Sequence, residues 1–156
     1  MLDVGGQSTR PGAQEISAED EIARVVPVIA ALAKQVSVPI AIDTSKPEVM
    51  RAAIAAGAGF INDVLALRRD GALDAAAELK VPVCLMHMQG EPRTMQDDPH
   101  YDDVVSDVRR FLAERICACE MSGIDKKRII VDPGFGFGKT LEHNLALLRG
   151  LDQFAA

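Results

Sequence analysis

Three polar residues close separate apolar runs, and together they could bind a planar ring edged with N–H donors. Asp43 ends the run 38–43, Asn62 lies near the end of 59–63, and Asp132 ends 129–132. A carboxylate accepts two parallel N–H bonds as a fork, and an amide both donates and accepts. A buried set this rich in oxygen is costly unless a partner satisfies it. Met86 and Phe137 supply apolar surface for such a ring. A divalent cation is the competing ligand, but the carboxylates lack ligand spacing and Asn62 suits a hydrogen-bonding role better. Thr9, Arg10 and Pro11 form a second candidate group, whose hydroxyl and guanidinium suit a phosphate or carboxylate. A solvated turn explains that loop equally well.

The neighbouring polar residues have plainer readings. Asp3 and Asp63 are of the type that caps helices and forms turns. His87 reads as a satisfied core histidine, and His100 and His143 as surface and helix-start residues. The glycine-rich stretch 134–140 imitates two nucleotide motifs and completes neither. Gly138-Lys139-Thr140 ends like a phosphate-binding loop, but its first required glycine is Pro133. A dinucleotide fingerprint built on Gly134 and Gly136 needs its third glycine where Lys139 stands. Both motifs depend on glycine at those positions for close backbone approach to phosphate.

Composition bounds the remaining choices. With 156 residues, 48% of them hydrophobic, the chain has enough apolar material for one domain with a real core. The net charge of −6 argues against a general nucleic-acid footprint. No run reaches the roughly 18 apolar residues of a membrane span, so no membrane role is expected. The three cysteines form no C-x-x-C pair, which implies reduced thiols and a cytoplasmic location.

Strands must carry these residues, and helices must separate the strands. Apolar runs at 1–4, 38–43, 59–63, 81–87 and 129–132 are too short for helices and predict five strands. Helical spacing falls between them, behind capping signals at Ser17 and at Ser45-Lys46-Pro47-Glu48. Pro27 is expected to kink the first helix. A helix over 72–79 follows, then one marked from Tyr101 to Cys119 and stopped by Gly123, then one behind Thr140. Alternating strands and helices with short connections predict a parallel α/β sheet, doubly wound or barrel. Its strand ends share one rim, where α/β proteins place their sites. The chain opens inside a strand, which makes an excerpt of a longer protein the expectation.

In family order, residues 3–12 (DVGGQSTRPG), 42–47 (IDTSKP), 61–63 (IND), 85–90 (LMHMQG) and 132–139 (DPGFGFGK) resemble dihydropteroate synthase. The resemblance covers essentially the whole chain; Gln7 departs from it, standing where many members carry Glu. It implies a partial (β/α)8 TIM barrel over 1–156, without the family's first strand and last two β/α units. It implies that Asp43, Asn62, Met86, Asp132 and Phe137 bind the pterin. Arg10, Pro11 and Phe137 meet 4-aminobenzoate, and Thr9 and Arg10 act catalytically at the diphosphate. The implied reaction joins (7,8-dihydropterin-6-yl)methyl diphosphate to 4-aminobenzoate. Mg²⁺ is the implied cofactor, with its ligand outside these residues, and the complete protein is expected to be a homodimer. The alternatives are a non-catalytic pterin-binding module and a pterin-binding methyltransferase, and the STRPG and FGFGK stretches favour the synthase.

Overall fold

The β-branched runs form a five-stranded parallel sheet whose spatial order follows the sequence order. A computed structural model describes residues 1–155. The strands are β1 (Leu2–Gly5), β2 (Ile40–Asp43), β3 (Phe60–Asp63), β4 (Val83–Met86) and β5 (Ile129–Asp132). Between and after them run α1 (Ala18–Leu32), α2 (Pro47–Ala55), α3 (Ala72–Leu79), α4 (Val104–Met121) and α5 (Leu141–Arg149). A doubly wound sheet reverses its strand order at a switch point. Here the order never reverses, so the winding is that of a barrel wall.

One face of the sheet packs on the helices. Ile40, Ile42, Ile61, Val83 and Leu85 project into a layer with Val25, Ile29, Val49, Met50, Val108 and Leu112. Replacing fully buried Ile42 by Ala costs about 2–5 kcal/mol. Successive strand residues face opposite ways. The registers Gly5–Asp43, Asp43–Asn62, Asn62–Cys84 and Met86–Asp132 therefore align a second, helix-free face.

Helix starts follow their caps, with two corrections to the expected pattern. Ser17 Oγ accepts the Asp20 N–H at 3.0 Å, and α1 then runs unbroken through Pro27. The capping box expected at Ser45 does not form. Lys46 is the cap residue and its side chain makes no capping bond, because Pro47 starts α2 and the Ser45 hydroxyl donates to Asp63 instead. Tyr101 lies ahead of α4, since Asp103 caps that helix through the Val105 and Ser106 N–H groups. At α5, Thr140 and His143 complete a reciprocal capping box.

Candidate active site

The helix-free face collects the candidate residues because each strand delivers one of them in register. Asp43, Asn62 and Asp132 share it with Met86, which is buried. Asp63 follows Asn62 and so points the opposite way, into the helix layer. Its carboxylate accepts from the Leu65 and Leu67 N–H groups, both at 2.8 Å, and from Ser45. These bonds hold a turn in which Ala66 and Leu67 take positive φ, and Arg115 donates to both of their carbonyls. Asp63 is a turn former, as its residue type implied.

Two members of the face were not legible as site residues. Asp3, read from the sequence as a turn former, accepts the Asn62 Nδ2–H at 2.9 Å. That bond fixes the amide so that Asn62 Oδ1 stays available as an acceptor. The physical reason is alternation: Asp3 lies two residues before Gly5 and shares its face. Cys84 lies beside Asn62, and counting back two from Met86 would have found it. Burial, with Asp132 next, pushes its thiol up to about 12, so it stays neutral.

The carboxylates differ in environment. Burial, then the charges of Asp3, Asp63 and Glu21, raises Asp43 to about 7. Asp132 Oδ1 accepts the Gly134 N–H at 2.7 Å, which aims the carboxylate before any ligand arrives. Phe137 packs with Met86, Val64, Met88 and Met95 in a small apolar cluster above the strand ends.

The glycine-rich loop after β5 is shaped by protein, with its lysine turned inward. A Cβ on Gly134 would lie 1.9 Å from the His87 carbonyl oxygen, and one on Gly138 would lie 2.8 Å from that of Gln89. Lys139 is buried, and its Nζ donates to the Gly134 and Phe137 carbonyls at 2.8 and 2.9 Å. It also lies 3.0 Å from His87 Nδ1. His87 is a core residue, set edge-on against Phe111. Burial, then the charge of Lys139, lowers it to about 3, so it stays neutral.

Thr9, Arg10 and Pro11 lie in the loop after β1, and Thr9 lines the same cleft as Asp43. Thr9 is half-buried, and Arg10 and Pro11 are exposed. A cleft of about 490 Å³ runs between this loop, the Asp43–Lys46 turn and the loop after β4, lined by Thr9, Asp43, Ser45 and Arg93 among others. Among the described residues no three His, Cys, Asp or Glu side chains converge as a metal site. No helix there is long and apolar enough to cross a membrane.

The family model described as "Pterin binding enzyme" matches residues 1–156. Dihydropteroate synthase of Escherichia coli K12 is 55% identical over 154 residues, which are 99% of this chain and 55% of that protein. A Xanthomonas albilineans dihydropteroate synthase structure with 4-aminobenzoic acid superposes with a TM-score of 0.92 at 60% identity. It covers 98% of this chain and 54% of that one. A structure of the enzyme from that organism in complex with 7,8-dihydropteroate gives 0.87 at 55% identity, over 99% of this chain and 53% of that one. The chain thus spans about 55% of the length of this curated relative.

Proposed function

Because the chain belongs to the pterin-binding enzyme family, we propose that it carries the pterin-binding wall of a dihydropteroate synthase. In this reading the enzyme joins (7,8-dihydropterin-6-yl)methyl diphosphate to 4-aminobenzoate. The observation that carries the proposal is the strand register, which sets Asp43, Asn62 and Asp132 on one helix-free face.

The pterin edge offers adjacent N–H donors, which Asp132 accepts, while Asn62 pairs through the oxygen that Asp3 leaves free. Asp43 completes the acceptor set, and Met86 and Phe137 cover the ring. The aniline nitrogen attacks the pterin methylene carbon, the C–O bond to diphosphate breaks, and the nitrogen sheds its proton. Thr9 and Arg10 meet the negative charge gathering on the leaving oxygen, where oriented donors are most effective. Pro11 and Phe137 pack against the 4-aminobenzoate ring. Mg²⁺ serves the complete family reaction as a counter-charge, but the described residues form no site that fits it. No step assigned to this chain runs through it. We also place the protein in the cytoplasm, in keeping with its three free thiols. A homodimer is the assembly that the resemblance implies.

The test is diphosphate release on mixing the two substrates with the complete protein that contains this chain, because these 156 residues match only 55% of the relative's length and are not expected to be competent by themselves. The expected result is release that depends on 4-aminobenzoate and falls about 10²–10³-fold in Arg10→Ala. Release independent of 4-aminobenzoate, or none, would contradict the proposal.

A further inference from the structure

A buried ion pair lies under the loop that carries Thr9 and Arg10, and the proposed reaction makes no use of it. Gln7 Oε1 accepts the Ile16 N–H at 3.1 Å and the Lys46 Nζ at 2.7 Å. Gln7 and Ile16 bracket residues 8–15, so this single oxygen ties the two ends of the loop together. Lys46 is 5% exposed, and its Nζ also donates to Glu21 Oε2 at 2.5 Å. Glu21 is 1% exposed, and its second oxygen has no partner among the described residues. The fit is close, because a Cβ on Gly6 would come within 2.9 Å of Glu21 Cγ.

A buried lysine–glutamate pair is a poor source of stability compared with apolar side chains of the same volume. Its position accounts for it better. Lys46 follows Asp43 by three residues, Glu21 lies in α1, and Gln7 opens the β1 loop. The cluster therefore ties the loop to the strand that presents Asp43. Another side-chain tie from this loop to the rest of the fold is Arg69 to Glu15 at 2.6 Å, between exposed side chains. Exposed pairs hold geometry weakly.

We propose that Lys46, braced by Glu21, is a positioning residue that acts through Gln7 to hold residues 8–15 over the strand-end site. The inference rests on the reading that Thr9 and Arg10 meet substrate. Its test reads loop order without substrate, so the two can fail separately.

Amide hydrogen exchange on the full chain reports on Ala13, whose N–H bonds the Arg10 carbonyl at 3.1 Å inside the loop. Gln7→Ala removes both bonds to Oε1 and is expected to speed Ala13 exchange by about tenfold or more, the value of the charge-assisted bond alone, with α2 protection unchanged. Gln7→Glu keeps the acceptor and should keep the protection, while Arg69→Ala should leave it nearly unchanged. Lys46→Met strands a buried carboxylate and can unfold the chain, so Glu21→Met/Lys46→Met serves as the variant that removes both charges. It too should loosen Ala13. Unchanged Ala13 exchange in the folded double variant would overturn the inference, whatever Gln7→Ala does. Loosening in a protein that forms no dihydropteroate would support the clasp and contradict the synthase reading.

Discussion

Asp43 holds its proton far above the ordinary carboxylate range, to about 7, first through burial and then through Asp3, Asp63 and Glu21. In the unfolded chain it titrates near the ordinary aspartate value of 3.8. Between those values the folded state binds more protons, so this group's contribution to stability declines as pH rises through the window. Asp43→Asn is neutral at every pH. It should melt above the unaltered protein at pH 8, with the difference shrinking toward pH 5, as scanning calorimetry would show. A difference independent of pH would contradict that account. The site was legible at this scale where a polar residue ended an apolar run, as at Asp43 and Asp132. It was not legible at Asp3 and Cys84, which lie inside their strands and reach the site only through the period-two alternation that register fixes.

Among the elements, the loop after β5 shows how sequence motif and physical role part company. Its Gly-Lys-Thr ending resembles a phosphate cradle, yet Lys139 spends its donors on the Gly134 and Phe137 carbonyls and His87. Burial lowers Lys139 to about 8. Lys139→Met should cost about 2–4 kcal/mol, because it leaves buried acceptors without a donor. Urea unfolding would measure this, and a loss under about 0.5 kcal/mol would show that the lysine does not hold the loop. The strands and helices were readable from periodicity and caps. The Ser45 box was misread because its hydroxyl has a tertiary partner in Asp63, which no local pattern displays.

In the whole molecule, winding order decides what the chain is. Parallel strands in sequence order place every helix on one side and leave the other side free for ligand. Composition and pattern allowed a doubly wound sheet or a barrel wall equally, because strand order is a tertiary property. β1 and β5 each pair with one neighbour, and Ile130, Leu141 and Leu148 are exposed. Open strand edges and bare apolar side chains favour association. The 156-residue chain alone should therefore show a mass that rises with concentration in light scattering. A constant monomer mass would contradict this.

The central claim is that the helix-free strand ends recognise a pterin, and calorimetric titration with 6-hydroxymethyl-7,8-dihydropterin tests it most directly. The unaltered protein should bind, and Asp132→Ala should lose affinity by about 100-fold or more, the value of two charge-assisted bonds. Equal affinity in the two proteins would contradict the claim.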